Sequence, residues 1–329
     1  TGGKKFSTSF NDWKFYDKSV KPKLTDYHKN GYKIVIVSNQ KGVSKGKVDL
    51  DKWKKKIEKM ASHFHFPFTI LASFNDDLYR KPRTKIWDTY IKCDKANSFY
   101  CGDAGGLPKR KVNGINLKKD FGDTDLKFAK NLGIQFIHRD NFIFDTPVTD
   151  IDVKYLDFDD IMYGNYTKFK PCKTKEVIIN VGYPGSGKSY YTNNYILVHK
   201  YEYVNGDILK TLKKCLKKCE EYIKNGSNVV IDNCNSTKKK RKLYIDLAKQ
   251  YGYKVRCLRF TTSKELSIHN GLYRHVASNG VRENIPRLVY NVLKFVEPSN
   301  EEGIDEVVNI DFVLNKKKIN ENIYFSYLS

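Results

Sequence analysis

The sequence lacks the features that would place the protein in a membrane or in an oxidising compartment. None of its apolar runs approaches the roughly 20 residues that cross a bilayer, and no signal-peptide pattern opens the chain. Its seven cysteines are scattered, without a C-x-x-C pair or the paired spacing of zinc ligands. This pattern favours reduced thiols in an intracellular protein. The first residue is Thr rather than Met, which is compatible with a fragment.

Acidic residues are scarce relative to basic ones. The chain carries 60 Lys and Arg against 37 Asp and Glu, a formal net charge of +23. Such a charge concentrates anionic partners such as nucleic acid and nucleotides, although frequent lysine also simply keeps a surface solvated. Hydrophobic residues make up 40% of the 329 residues, which is enough for two buried cores.

Short apolar runs alternate with amphipathic stretches in both halves, which predicts two α/β domains with parallel, doubly wound sheets. The predicted strands are Tyr32–Val37, Phe68–Phe74, Ser98–Cys101, Val177–Val181, Tyr201–Val204, Val229–Ile231 and Lys254–Phe260. The predicted helices are Leu50–His63, Pro82–Cys93, Ser189–Val198, Leu209–Lys224, Lys238–Tyr251 and Ser263–Val276. We therefore predict domains at 1–147 and 176–315, a linker at 148–175 and a peripheral tail at 316–329.

The run GYPGSGKS, Gly182 to Ser189, matches the phosphate-binding pattern G-x-x-x-x-G-K-[ST] between a buried strand and a helix. Its glycines let backbone N–H groups surround phosphates, with contributions expected from Gly182, Gly185, Ser186 and Gly187. Lys188 is expected to reach the β- and γ-phosphates of ATP, and Ser189 to join the Mg²⁺ shell. The alternative is a glycine-rich turn that binds nothing.

Two carboxylates follow strands of the same half. Asp207 ends the run YEYVNGD, where it could take a proton from a hydroxyl or simply cap the next helix. Asp232 ends the strand NVVID, which suits a carboxylate near the metal or the phosphate-binding loop. Arg274, on a later helix, could stabilise charge on a transferred group or be a solvated surface residue.

The motifs GYPGSGKS, VNGD, VVIDNCN and IHNGLYRH together resemble the kinase domain of the bifunctional polynucleotide kinase 3′-phosphatases, which repair DNA ends. The first half resembles the phosphatase domain of the same family, of the haloacid-dehalogenase-like class, through these stretches: DWKFYDKSV, GYKIVIVSNQKGVSKGK, LYRKPRTKIWD, YCGDAGG and KKDFGDTDLKFAKNLGI. The resemblance covers roughly residues 1 to 315 and implies a nuclear enzyme that uses ATP and Mg²⁺ on DNA ends.

The resemblance also implies residue roles. In the kinase half, Asp207 is the general base, Lys188 and Ser189 hold ATP and Mg²⁺, Arg274 is the lid arginine, and Arg241 contacts DNA beside Lys238–Lys240. In the phosphatase half, Ser38 holds the scissile phosphate, Lys81 neutralises developing charge and Asp103 binds Mg²⁺, with Lys45 and Arg80 as substrate contacts. Read from the residues alone, Ser38 could equally be a turn residue, Lys81 a solvated one and Asp103 a loop former.

The sequence departs from the family in three places. No D-x-D-G-T motif, which supplies the phosphatase nucleophile and acid/base, occurs in the 329 residues. Either it lies upstream of Thr1, or the phosphatase fold is an inactive scaffold. Gly206 stands where the family usually has Arg, and Leu272 replaces a basic residue of the lid helix. The family's forkhead-associated domain does not occur in the sequence, and repair-scaffold partners cannot be inferred from it.

The interpretation favoured by these patterns is a two-domain enzyme that phosphorylates 5′-hydroxyl ends of DNA and, with its nucleophile present, removes 3′-phosphates. Two alternatives stay open at this point. One is a P-loop kinase for RNA ends or a small molecule, beside an inactive phosphatase-like scaffold. The other is a binding protein whose P-loop only senses ATP.

Overall fold

The computed structural model describes residues 9–112, 114–147, 151, 156, 158 and 161–329. The chain divides into a first unit, Thr1–Lys154 with Ser326–Ser329, and a second unit, Tyr155–Phe325. A linker was predicted at 148–175. Most of its residues before 161 lie outside the described residues. None of the helices in the described ranges is both long and apolar enough to cross a bilayer.

The first unit contains strands and helices in alternation, as its apolar periodicity predicts. Their bounds, in chain order, are α1 Val20–Lys29, β1 Val35–Asn39, α2 Lys41–Ser44, α3 Leu50–Ala61, β2 Thr69–Ser73, α4 Lys85–Tyr90, β3 Phe99–Gly102, β4 Arg110–Val112, β5 Ile115–Leu117, α5 Thr124–Leu132, β6 Gln135–His138 and α6 Arg139–Phe144.

Within the described residues, the strands of the first unit pair as separate two-stranded sheets, so one doubly wound sheet in this unit stays a prediction. Strand β1 pairs in parallel with β2, and β3 pairs in parallel with β6. Strands β4 and β5 form a separate antiparallel hairpin. The core packs α4 and α5 against β1 and β3 through residues such as Trp87 and Phe128. An apolar groove lies between β1 and β3 and is described below.

The second unit has one parallel sheet of five strands. Its elements are β7 Met162–Tyr163, β8 Glu176–Val181, α7 Lys188–Tyr191, β9 Glu202–Asn205, α8 Gly206–Leu209, α9 Leu212–Lys224, β10 Val229–Asp232, α10 Lys238–Gln250, β11 Lys254–Phe260, α11 Lys264–Ala277, α12 Arg287–Val292, β12 Glu306–Ile310, β13 Val313–Leu314 and α13 Glu321–Tyr324. After α7 the chain continues as a π-helical turn, Thr192–Ile196, and a 3₁₀ turn, Leu197–His199.

The strand order in that sheet is β12-β11-β8-β10-β9, all parallel. Strand β8 is buried along its whole length, as expected for a central strand covered on both faces. Because β8, β9 and β10 are neighbours, their carboxyl ends meet at one edge, where ligands of such sheets bind. The residues that follow these three strands are the candidate kinase residues.

The last residues are not the peripheral tail that the sequence suggested. Tyr324, at the end of α13, is 1% exposed within the second unit. Leu328, in the first unit, is also 1% exposed. Its carbonyl accepts from Arg83 Nε at 3.1 Å, and the adjacent Tyr327 bonds to Asn131. Buried apolar side chains and satisfied backbone groups make these residues part of the packed structure.

Candidate active sites

The phosphate-binding loop leaves β8 and enters α7. Gly185 and Gly187 have φ of +84° and +99°, in the left-handed region that favours glycine. A Cβ at Gly185 would lie 2.3 Å from the carbonyl oxygen of Ser267, so no other residue fits there without movement. The Asn270 side chain donates to the Gly185 carbonyl at 3.1 Å and holds the loop against α11. Loop geometry therefore follows from the glycine spacing, whereas the sequence analysis did not single out Asn270, although it lies in the matched run IHNGLYRH.

Lys188 begins α7 and is buried, with its ammonium donating to the carbonyls of Gly182 at 3.0 Å and Tyr183 at 2.6 Å. Burial lowers the pKa of Lys188, and the nearby charges of Asp232 and Asp207 raise it in part. Lys188 follows β8, while Asp232 ends β10 and Asp207 follows β9, so all three lie at one edge of neighbouring parallel strands. The structure thus brings together residues that are 19 to 44 positions apart in sequence.

Asp207 occupies the first turn of α8, directly after β9. The side chain that caps α8 is Asn205, whose Oδ1 accepts from the Ile208 N–H at 3.0 Å, and Thr211 caps α9. The helix-capping alternative for Asp207 is therefore wrong. Asp207 is exposed, and its carboxylate has no hydrogen bond or ion pair within the described part of the chain. An exposed, unpaired carboxylate can accept a proton from an incoming hydroxyl.

Asp232 ends β10 and is 3% exposed. Its Oδ2 accepts from the Tyr203 hydroxyl at 2.6 Å and from Asn205 Nδ2 at 3.3 Å. Burial and the bond to Asp232 raise the pKa of Tyr203, while hydrogen bonds from Asn205 and Ser189 oppose that rise. Asp232 and Ser189 therefore share one neighbour, Tyr203, which the sequence analysis did not single out.

Arg274 lies on α11 and is exposed, within electrostatic range of both Lys188 and Asp207. This position suits a cation that acts on a transferred phosphoryl group. Leu272, two residues earlier, is 6% exposed and faces the interior. The departure at Leu272 therefore removes no charge from this solvent-facing side of α11.

The prediction that Arg241 contacts DNA was wrong. Arg241 is 0% exposed, although it stands in the basic run KKKRK at the start of α10. Its guanidinium donates to both carboxylate oxygens of Glu302, at 2.8 and 2.6 Å. It also donates to the carbonyls of Asn235 and Val296, at 3.0 and 2.9 Å. A guanidinium used in this way has no donor left for a phosphate, whereas Lys238–Lys240 beside it are exposed.

Gly206 is covered by a neighbouring side chain. A Cβ at Gly206 would lie 2.4 Å from Asn233 Nδ2, so Asn233 occupies the space that a larger residue would enter. Asn233 itself is exposed, and its Oδ1 accepts from the Cys234 N–H at 2.7 Å. Next to Asp207, the side chain of Asn233 therefore fills the space beside Gly206.

In the first unit, Lys81 is buried at the point where three elements meet. Its ammonium donates to the Val37 carbonyl at 2.8 Å, the Tyr100 hydroxyl at 2.6 Å and Asp125 Oδ1 at 2.8 Å. These bonds join β1, β3 and α5, and the solvated alternative for Lys81 is wrong. Asp125 also accepts from the Ala104 N–H at 3.0 Å, which fixes the loop after β3. Asp125 was not named by the sequence analysis, although it lies in the matched run KKDFGDTDLKF.

The other residues predicted for the phosphatase site belong to different elements of the first unit. Ser38 is the fourth residue of β1 rather than the residue after it, and its hydroxyl accepts from Gln40 at 2.7 Å. Asp103 follows β3 directly, is exposed and pairs with Arg139 at 3.3 Å. Arg80 precedes Lys81, and its Nη1 is buried without a hydrogen-bond partner in the described residues. Lys45 is exposed at the end of α2.

An apolar groove of about 360 Å³ lies between β1 and β3. Three consecutive residues of each strand line it, Val35–Val37 and Phe99–Cys101, together with Trp87 and Phe142 from the covering helices. Neighbouring strands of a sheet are about 4.8 Å apart, and β1 and β3 each have only one described strand partner. The groove therefore lies between two strands that do not pair with each other in the described residues. Lys81 bridges it at the carboxyl end of β1.

No three His, Cys, Asp or Glu side chains converge as a metal cluster within the described residues. Protein-bound Mg²⁺ usually keeps several waters and takes only one or two protein ligands beside phosphate oxygens. The donor set Ser189 and Asp232 fits that requirement, because Asp232 Oδ1 accepts no hydrogen bond in the described structure. The five-stranded parallel sheet, the glycine-supported loop and the two carboxylates define the second unit as a P-loop nucleotide-binding domain.

Comparison with known proteins extends this assignment to the whole chain. A family model described as polynucleotide kinase 3 phosphatase matches residues 1–143, and one described as an AAA domain matches residues 177–295. A bifunctional polynucleotide phosphatase/kinase of Schizosaccharomyces pombe is 32% identical over 94% of this chain and 76% of its own length. A putative bifunctional polynucleotide phosphatase/kinase of Acanthamoeba polyphaga mimivirus is 33% identical over 94% of this chain and 82% of its own length.

The chain belongs to the bifunctional polynucleotide phosphatase/kinase family. The resemblance found in the motifs is thereby confirmed, and both the phosphatase and the kinase parts of the family are present. A polynucleotide 3′-phosphatase of Arabidopsis thaliana is also similar, at 27% identity over 40% of this chain and 20% of its own length.

Proposed function

We propose that the second unit transfers the γ-phosphate of ATP to the 5′-hydroxyl of a DNA end. The observation that carries this proposal is the exposed, unpaired carboxylate of Asp207 at the carboxyl edge of the sheet, within electrostatic range of Lys188. A hydroxyl at that edge can lose its proton to Asp207 while its oxygen attacks the γ-phosphorus in line with the bond to ADP. ADP leaves as that bond breaks.

The other residues act on charge and position. Lys188 releases the loop carbonyls and binds the β- and γ-phosphates, and the loop N–H groups surround the same phosphates. Arg274 stabilises the charge that spreads over the transferred oxygens. Mg²⁺, held by Ser189 and Asp232, would neutralise charge on the β- and γ-phosphates when bound. Catalysis then consists mainly of positioning and electrostatic stabilisation.

We propose DNA as the acceptor because of the family resemblance and because the protein is strongly basic. The net charge of +23 and the exposed Lys238–Lys240 favour binding of a phosphate backbone. Binding should weaken steeply with salt, and a flat salt dependence would contradict a nucleic-acid substrate. We propose a nuclear location on the same basic run and on the resemblance, which imaging of a fluorescent fusion tests.

The kinase proposal is tested with an oligonucleotide that carries a 5′-hydroxyl and a 3′-phosphate, incubated with ATP and Mg²⁺. Mass spectrometry should show one phosphate gained at the 5′ end, and Asp207→Asn should abolish the gain. The same assay, run with matched DNA and RNA oligonucleotides and with a free nucleoside, shows which acceptor the protein phosphorylates. Efficient phosphorylation of the nucleoside, without a gain from oligonucleotides, would favour a small-molecule kinase. ATP binding without transfer to any acceptor would favour an ATP sensor.

We propose that the first unit is a haloacid-dehalogenase-like 3′-phosphatase whose groove between β1 and β3 takes one more parallel strand. A D-x-D-G-T segment in that position would end near Ser38 of β1, near Asp103 directly after β3, and near Lys81, whose ammonium bonds to the Val37 carbonyl of β1. The buried, unpartnered Nη1 of Arg80 supports a phosphate site on this side, since a buried donor without a partner is costly.

The phosphatase proposal is tested by fusing an extended apolar segment that ends in D-x-D-G-T ahead of Thr1. The fused chain should release phosphate from a 3′-phosphorylated oligonucleotide, and the chain without the segment should not. Lys81→Ala in the fused chain should remove the activity. A folded fusion protein without phosphate release would favour the inactive scaffold.

A further inference from the structure

The carboxylate of Asp232 is held from one side by two side chains of β9. Tyr203 donates its hydroxyl to Oδ2 at 2.6 Å, and Asn205 Nδ2 reaches the same oxygen at 3.3 Å. Both bonds go to Oδ2, so Oδ1 accepts no hydrogen bond within the described part of the chain. The two bonds therefore fix the rotation of the carboxylate and leave one oxygen available to a ligand.

Strand pairing explains why Tyr203 reaches this position. β9 and β10 are parallel neighbours, in which Tyr203 is opposite Val230 and Asn205 is opposite Asp232. Alternate residues of a strand share a face, so the two β9 side chains lie on the same face as Val230 and Asp232. The long phenol side chain extends along that face to the strand ends, where its hydroxyl meets Asp232.

The Tyr203 hydroxyl also contacts other parts of the kinase site. Asn205 Nδ2 donates to it at 2.6 Å, and the Ser189 side chain is within hydrogen-bonding reach. The other end of the Asn205 amide accepts from the Ile208 N–H at 3.0 Å and so caps the turn that carries Asp207. One hydroxyl therefore bonds to both Asp232, a proposed metal-binding residue, and Asn205, the residue that supports the proposed base.

We propose that Tyr203 is a positioning residue of the kinase site, which holds Asp232 with one oxygen free and thereby sets the affinity for the Mg²⁺ complex of ATP. This inference rests on the proposed kinase function. Partners of metal-binding groups that do not themselves bind the metal typically change metal affinity or activity by about 10- to 100-fold when they are replaced. Replacing the hydroxyl alone should therefore weaken binding of the Mg²⁺ complex and spare binding of ATP without metal.

The test compares Tyr203→Phe with the unaltered chain, using a fluorescent ATP analogue titrated in Mg²⁺ and, separately, in EDTA. Phe keeps the ring and its packing and removes only the hydroxyl. We expect Kd to rise by about tenfold in Mg²⁺ and to change by less than about twofold in EDTA. Phosphorylation of a 5′-hydroxyl should then need more Mg²⁺ for half-maximal rate.

Tyr201→Phe is the matched control. Tyr201 immediately precedes the same strand, and its hydroxyl also bonds to a buried carboxylate, Glu176. That carboxylate begins β8, whereas the phosphate-binding loop follows its other end. Tyr201→Phe should therefore cost stability without changing the ratio of the two Kd values.

An unchanged Kd in Mg²⁺ for Tyr203→Phe, or an equal change for Tyr201→Phe, would overturn the inference. Because the readout is nucleotide binding, it does not depend on the acceptor. If the unaltered chain bound the Mg²⁺ complex of ATP but phosphorylated no 5′-hydroxyl, the proposed function would fail, and the two Kd values would still decide the role of Tyr203.

Discussion

Replacing Arg241 tests whether the basic run at the start of α10 contains a structural arginine among lysines that we propose to bind DNA. The guanidinium is fully buried and makes a bidentate ion pair with Glu302, whose side chain is 6% exposed. It also fixes the carbonyls of Asn235 and Val296, which belong to the turn after β10 and to the segment after α12. Arg241→Met keeps a long side chain and removes the charge and the donors.

The expected loss of stability comes from the groups that would lose Arg241 as their partner. Removing one partner of a buried ion pair leaves an uncompensated charge on Glu302 and typically costs about 3–5 kcal/mol. The carbonyls left without donors add to this loss, at about 1 kcal/mol for each hydrogen bond. We therefore expect Arg241→Met to lower the free energy of unfolding of the second unit by at least about 3 kcal/mol. Glu302→Gln in the same background should recover part of the loss.

The assay is urea unfolding followed by circular dichroism, with tryptophan emission recorded in parallel. All three tryptophans lie in the first unit, so their emission reports that unit alone. DNA affinity is measured against salt for the same variants. Arg241→Met should leave the salt slope unchanged, whereas Lys238→Ala with Lys239→Ala should lower it by about 0.7 for each lysine on single strands and keep stability. A stable Arg241→Met variant with a reduced salt slope would refute the reasoning.

Three further predictions concern pH, the loop and the last residues. Burial lowers the pKa of His269 to about 4. Below pH 6.5 the histidine is therefore protonated in the unfolded chain before it is protonated in the folded one. The free energy of unfolding should fall by about 2 kcal/mol between pH 7 and pH 5, and by less in His269→Gln. Gly185→Ala should abolish ATP binding, because its Cβ would lie 2.3 Å from the Ser267 carbonyl oxygen. Leu328→Ala should destabilise the first unit by about 2–5 kcal/mol, as measured by tryptophan emission in urea.

Each of these three predictions has a control and a contradicting outcome. An equal loss of stability at pH 5 in His269→Gln would assign the pH dependence to other groups. Gly226→Ala has a similar φ of +70° with no atom within 4 Å of its Cβ, and it should cost stability but keep ATP binding. If Gly185→Ala bound ATP as well as Gly226→Ala, the close contact would not matter. An unchanged midpoint for Leu328→Ala would show that the last residues are peripheral after all.

Local patterns predicted much of the fold and of the kinase site. The alternation of buried strands and helices appears in the structure, and β11 has the predicted bounds, Lys254–Phe260. The phosphate-binding loop could be read from sequence because glycine spacing, a preceding strand and a following helix are all local features. Proximity of Lys188, Asp207 and Asp232 was also predictable, since the carboxyl ends of neighbouring parallel strands meet at one edge.

What the sequence could not show depends on contacts between distant residues. Arg241 stands among lysines in the chain, and only the pairing with Glu302, 61 positions later, makes it a buried residue. Tyr203 looks like any aromatic residue of a strand until the register of β9 and β10 places it near Asp232. The groove between β1 and β3 depends on which strands pair, which apolar periodicity does not specify. The last residues likewise bond to Arg83 and Asn131, far earlier in the chain.

The most direct test of the central claim is transfer of phosphate from ATP to a 5′-hydroxyl oligonucleotide by the chain itself. The unaltered protein with ATP and Mg²⁺ should add one phosphate at the 5′ end, as read by mass. Asp207→Asn should bind ATP with unchanged affinity and transfer none. Transfer that persists in Asp207→Asn would contradict the assignment of the base, and absence of transfer by the unaltered protein would contradict the proposed kinase activity.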